Sequence, residues 1–267
     1  MVVVIFLFGI LLGILVNGLA DNLPEAMDSF KPGDALPRCG YCGATRKWSD
    51  VSSLAGMLIR GGACARCAAP RSLRDILVEA VAAVVLSGLW IDGLHAAPDF
   101  LIASLILAAF FLMAVIDFEH RSVFPGILVW FSILLIGLTA AKGISGIPWI
   151  LLGGSAGLGI LFLCYLMGWV LAKVFRLGDG IEPLGFGDVW LGGAVGMVTG
   201  WPGILPAVFL AILLAGVYGI GVLVIHSIRR KPARNVTIAY GPFLLLSGLL
   251  FHFSAARMTA GIIGLLH

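Results

Sequence analysis

Apolar runs near 2–20, 76–94, 99–117, 123–140, 149–174, 188–201, 204–228 and 241–264 divide the chain into segments of roughly the 20 residues that a bilayer crossing needs. Polar positions between these runs are mostly confined to short loops. The pattern predicts an all-α integral membrane protein, a polytopic bundle of about eight transmembrane helices. The sixth run contains Leu191-Gly-Gly-Ala-Val-Gly-Met-Val. It is short and glycine-rich, so it is expected to be tilted, broken or buried among its neighbours. The one substantial polar stretch, Ala20–Arg74, follows the first run and shows neither a strand period nor a helix period. The predicted layout is therefore a first transmembrane helix over 1–20, a small cysteine-rich insert over 21–75, and a multi-helix membrane domain over 76–267.

Composition supports this layout. Of the 267 residues, 60% are hydrophobic and only 12% are charged, which excludes an ordinary soluble domain. The 36 glycines would weaken soluble helices, but in lipid small residues let helices approach closely and pack. The first run lacks the basic start and small-residue cleavage site of a secretory signal, so a retained span is expected. The net charge of +3 says little as a total, and no nucleic-acid partner is expected; the bundle's partner on its outer surface is lipid. The distribution of the 17 basic residues is informative, because all except Lys142 and Arg257 fall in loops on one side of the predicted bundle. The positive-inside rule makes that side cytoplasmic, with the N-terminus outside. Trp90, Trp130, Trp149 and Trp201 fall near span ends as interfacial anchors.

Four of the five cysteines form two Cys-x-x-Cys pairs in the insert, Cys39/Cys42 and Cys64/Cys67, separated by 21 residues. Two such turns can present four thiolates to one tetrahedral ion, which is zinc-ribbon spacing. An insert of about 55 residues struggles to bury enough apolar surface unaided, so a staple is expected physically. Two disulfides or a redox pair are the alternatives; a reducing cytoplasm argues against the first, and the lack of a thioredoxin-like unit against the second. A zinc ion held by four thiolates would be structural rather than catalytic. Cys164, inside the fifth run, reads as a packing residue.

Two acids stand where charge is costly. Asp117 closes the run Phe100–Ile116, and Asp188 opens another within Gly185-Phe186-Gly187-Asp188. An ionisable residue at such a position is a functional-site candidate. Gly185 and Gly187 allow unusual backbone conformations and close approach by another chain, so they are read as a substrate-binding recess with a carboxylate at its edge. An aspartate capping a helix N-terminus gives the structural alternative. Both acids fall at the cytoplasmic level, where helix packing can bring them together around one water, as in the aspartic-protease arrangement. No phosphate-loop lysine follows Gly187, neither G-x-S-x-G nor H-E-x-x-H occurs, and the five histidines lack ligand spacing. Glu79, one turn into the second run, is expected either to snorkel to the interface or to line a polar cavity.

These residues together resemble a known family, the bacterial type IV prepilin leader peptidases, which are membrane aspartic proteases of the Gly-x-Gly-Asp kind. The resemblance runs from Gly13-Ile-Leu-Val-Asn17 and Pro24 through the double Cys-x-x-Cys segment, Leu58-Ile-Arg60-Gly61-Gly-Ala-Cys64 and Glu79. It continues through Ile116-Asp117 with Pro125, Gly185-Phe-Gly-Asp188-Val-Trp-Leu191 and Tyr240-Gly-Pro-Phe243. It implies cleavage of the short basic leader from prepilin or pseudopilin precursors at the cytoplasmic face of the inner membrane, with Asp117 and Asp188 as the catalytic pair. It also implies a second activity found in many members, N-methylation of the new N-terminus with S-adenosylmethionine. This chain has Asp21 and Asn22 where the family usually carries a basic residue. Two other readings of the acids are an ion- or proton-binding transporter and a catalytically inactive assembly scaffold.

Overall fold

The computed structural model describes residues 1–23, 39, 41–44, 52–60, 63–64, 66–70, 72–174, 184–229 and 239–265. The loop residues Pro24, Lys31, Arg38, Arg46, Lys47, Arg71, Arg176, Arg230, Lys231 and Arg234, used in the sequence reading, lie outside them. Nine α-helices are present among the described residues: α1 (Val2–Asn22), α2 (Ser53–Arg60), α3 (Leu73–Ile91), α4 (Ala97–His120), α5 (Pro125–Lys142), α6 (Ile147–Val174), α7 (Phe186–Thr199), α8 (Ile204–Ile228) and α9 (Gly241–Leu265). All eight predicted runs are helical. Five helices, those at positions one, four, five, six and eight, are long and apolar enough to cross a bilayer. The chain is a helical membrane protein. The departure from expectation is α2, which lies in the insert and is too short for its period to stand out among glycines and arginines.

The chain divides into two compact units, Met1–Ile116 and Asp117–His267. In the first, α1 packs along α3, and α2 also rests on α3. The α1–α3 crossing runs over Gly9 and Gly13, one helical turn apart: a Cβ on Gly9 would overlap the backbone of Ala83, and one on Gly13 would stand 2.6 Å from Glu79 Cα. Several polar groups in this unit are tied to one another. Asn17 Nδ2 donates to Asp75 O (3.0 Å), and Arg74 on α3 pairs with Asp21 at the end of α1 as well as with its neighbour Asp75. The Asp21 that departs from the family pattern is therefore answered by Arg74.

In the second unit the dominant contact is α6 against α7. Gly153 and Gly157 on α6 face Gly192 and Gly196 on α7, and both pairs follow the small-xxx-small spacing. A Cβ on Gly153 would strike the carbonyl oxygen of Gly196, and one on Gly157 would strike that of Gly192; Gly196 is blocked in turn by Gly153. With no side chains between them, the two backbones touch. The 14-residue α7 is thus unbroken and buried, with Val189, Leu191, Val195 and Val198 all inside. Gly200, in a left-handed conformation (φ 65°), ends it by donating to Gly196 O (2.8 Å). His252 of α9 hydrogen-bonds the carbonyl of Val198 (2.9 Å), satisfying part of that same helix end. Helix hydroxyls such as Ser132 and Thr139 donate to carbonyls four residues back, so they present no open donor to lipid.

Gly157→Ala and Gly196→Ala are each expected to lower the unfolding free energy in detergent by about 1–3 kcal/mol, the usual cost of overpacking. Gly159→Ala is the control, because a Cβ there meets nothing within 4 Å. Thermal or denaturant unfolding of the three purified variants checks this.

Candidate active site

Asp117 sits in the last turn of α4. That helix stops because Arg121 turns left-handed (φ 52°) and donates its N–H to Asp117 O (2.9 Å), an αL-type ending. The Asp117 side chain is only 6% exposed, and its Oδ2 has no hydrogen-bond partner among the described residues. Buried polar atoms are nearly always paired, so an orphaned carboxylate oxygen marks a place built for something other than packing. Asp188 lies in the first turn of α7, whose N-cap is Gly185. It is half-buried, and its carboxyl folds back over the cap: a Cβ on Gly185 would stand 3.6 Å from Asp188 Oδ2.

The two acids, 71 residues apart in sequence, lie within electrostatic reach of each other. Two further contacts hold this arrangement. A Cβ on Gly187 would stand 2.7 Å from Val123 Cβ, so the glycine lets the turn after α4 press against the start of α7. A Cβ on Gly241, the first residue of α9, would overlap Asp117 Oδ2 and approach Leu191 Cδ1. Its neighbour Tyr240 feels the charge of Asp188. Burial, followed by that charge, raises the Tyr240 phenol above its ordinary range, so it stays protonated. The sequence reading quoted Tyr240 and Gly241 but gave them no role; a glycine before a proline signals a turn, not the identity of its distant neighbour.

An apolar cavity of about 410 Å³ also lies in this unit, lined by Leu128, Ser132, Leu158, Trp190, Gly193 and Met197 among others. Residues 190, 193 and 197 share the face of α7 opposite to that of 188, 191 and 195. The cavity is therefore separate from the acids.

In the first unit, Cys39, Cys42, Cys64 and Cys67 come together, their four sulfurs all within 4.8 Å of one another and Cys39 Sγ 3.7 Å from Cys67 Sγ. A tetrahedron of thiolates around zinc has edges of about 3.8 Å, so the cluster fits such an ion. The two knuckles are built alike. Cys39 N donates to Ala44 O and Cys64 N to Ala69 O, while Gly43 N and Ala68 N donate back to the first cysteine's carbonyl. Gly43 and Ala68 are both left-handed (φ 64° and 56°). Backbone amides of Arg66 and Cys67 pull the Cys64 thiol down to about 6. At Cys67 the Ala69 amide also favours the thiolate, yet desolvation and the neighbouring sulfurs win and push the thiol up to about 12. Four crowded sulfurs cannot all ionise unaided, and a bound dication removes that conflict. The cluster can hold a metal ion. Cys164 is not a packing residue: it lies on the exposed side of α6.

Glu79 neither snorkels nor lines a cavity. It is 1% exposed, and its carboxylate accepts from Ser52 Oγ (2.8 Å), Ser53 N (2.8 Å) and Leu54 N (3.0 Å). A carboxylate on α3 thus caps the start of α2, the helix that leads into Cys64.

A helical membrane protein with two acids brought together at helix ends, and a four-cysteine cluster ahead of them, is the class that fold and site define. Residues 104–220 match the model of the type IV leader peptidase family, and residues 7–92 match that of the bacterial peptidase A24 N-terminal domain. The chain belongs to the type IV leader peptidase family. It is 31% identical to a prepilin leader peptidase/N-methyltransferase of Pseudomonas aeruginosa, over 91% of this chain and 86% of that protein. A protein of the same description from Burkholderia pseudomallei is 30% identical over 85% of this chain and 69% of the relative, and one from Legionella pneumophila 28% over 95% and 91%. No solved structure matches the chain significantly.

Glu79→Ala removes three charge-assisted hydrogen bonds and is expected to cost the α2 segment about 1.5–3 kcal/mol. Hydrogen exchange should then be faster at the Ser53 and Leu54 amides, with Glu79→Gln, which keeps one acceptor oxygen, in between.

Proposed function

We propose that this chain is a membrane aspartic endopeptidase that removes the short basic leader of type IV prepilin or pseudopilin precursors, with Asp117 and Asp188 as its catalytic pair. The observation that carries this reading is that Asp117 at the end of α4 and Asp188 at the start of α7 lie within electrostatic reach, with a buried Asp117 oxygen that has no partner among the described residues. One carboxylate takes a proton from water as the oxygen attacks the scissile carbonyl, while the other, protonated, donates to the carbonyl oxygen. The tetrahedral intermediate collapses as a proton passes to the leaving amine. Gly185, exposed at the cap beside Asp188, is where an extended substrate backbone would approach, whereas Gly187, expected to share that role, is instead packed against Val123. A precursor with a charged leader joined to an apolar helix places its scissile bond at the membrane interface. The one-sided basic loops favour an inner-membrane protein with its N-terminus outside and this site on the cytoplasmic face.

The relatives are named as N-methyltransferases as well, and the family resemblance implies methylation of the new N-terminus with S-adenosylmethionine as donor. A sulfonium and ammonium cofactor seeks acidic groups, and three acids of the first unit are already engaged: Glu79 with α2, and Asp21 and Asp75 with Arg74. Methyl transfer is assigned to no side chain. The four cysteines are assigned to one structural zinc ion, which leaves no coordination position open for chemistry.

Asp117→Asn and Asp188→Asn are each expected to abolish leader removal while expression and membrane insertion persist. Co-expression with a prepilin, read by gel shift and by mass, checks this; one added methyl mass on the wild-type product would establish the second activity. Retained cleavage by either purified variant would sink the mechanism.

Elemental analysis of protein purified under reducing conditions should find close to one zinc per chain. Cys64→Ser is expected to lower that occupancy at a given chelator concentration.

A further inference from the structure

The least explained contact in the second unit is the one at the start of α9. Gly241 is buried, and a Cβ there would overlap Asp117 Oδ2 and stand 2.7 Å from Leu191 Cδ1. Because Asp117 Oδ2 has no donor among the described residues, its position is set by the shape of its surroundings. The Gly241 backbone is not in the left-handed region, so its φ does not by itself demand glycine, although Pro242 after it disfavours the helical region for a residue that carries a Cβ. Beyond that local preference, what opposes alanine at this position is the two side chains that a methyl group would strike.

We propose that Gly241 is a positioning residue for Asp117: its missing side chain is the seat of the carboxyl, and any larger residue swings Oδ2 away from Asp188. This rests on the reading of Asp117 and Asp188 as the catalytic pair. The same corner serves both acids, since Tyr240 lies within the field of Asp188 while Gly241 touches Asp117. Asp117 has little room to adjust, because Ile116 beside it and Leu191 across from it are fully buried. Displacement of a catalytic group by about 1 Å can cost 100-fold in rate.

The test uses the purified full-length protein and a leader-bearing precursor, with kcat, KM and thermal midpoint measured for wild type, Gly241→Ala, Gly241→Ala with Leu191→Ala, and Asp117→Asn. Gly241→Ala should lose about 100-fold in kcat, with KM changed by less than about threefold and the midpoint not lowered. Adding Leu191→Ala should leave that loss in place, since it relieves only the contact with leucine. Wild-type kcat in Gly241→Ala, recovery of kcat in the double variant, or a loss that follows a falling midpoint would each overturn the positioning role. Should Asp117→Asn cut normally, the catalytic pair itself fails and the positioning role with it. If Asp117→Asn is dead while Gly241→Ala is fully active, only the positioning role fails.

Discussion

Backbone-to-backbone contact at glycine is the constraint on which the rest of the second unit depends. Between helices in lipid there is no hydrophobic driving force to gather side chains, so association relies on close packing and on hydrogen bonds. Gly153 and Gly157 against Gly192 and Gly196 let α6 and α7 meet without intervening side chains. The consequence reaches the chemistry because α7 carries Asp188. Too short to be anchored by length, α7 is fixed by the long helix beside it, and that contact sets the height of the acid.

The polar groups of the first unit follow a complementary logic. Charges near a membrane are costly unless each finds a partner, and most of the partners here come from distant sequence. Arg74 closes on Asp21 and Asp75, and Glu79 closes on the start of α2. Glu79 also sits beneath Gly13, so the helix crossing and the cap share one residue. The same carboxylate therefore holds the start of α2 to α3.

How much of this was legible in the sequence follows from the range of each interaction. The apolar runs became helices at nearly the expected bounds, because in lipid every backbone group must be paired within its own segment. The knuckles were legible because Cys-x-x-Cys is local geometry. Asp117 and Asp188 were legible as charges out of place, and their common level followed from the alternation of spans. The cap on α2 was not legible, since Glu79 and Ser53 are 26 residues apart and nothing local links them. Glycines announced close packing in general without naming their partners. That Gly187 meets Val123, and Gly241 meets Asp117, depends on helix rotations that periodicity in an all-apolar helix leaves undetermined.

Three chain corners meet at the acids: the left-handed stop after α4, the glycine-capped start of α7, and the Tyr240–Gly241 entry into α9. Hydrolysis needs water, which is scarce inside a bilayer, and peptide backbone can leave a helix only where other protein or water satisfies it. Helix ends meet both requirements at once. They lie where water is available, and their free backbone groups can pair with an extended substrate. Placing each carboxyl within one turn of such an end also avoids the larger cost of burying two charges in mid-membrane. The glycines at 187 and 241 then perform the last adjustment, since each removes the one side chain that would hold the corners apart.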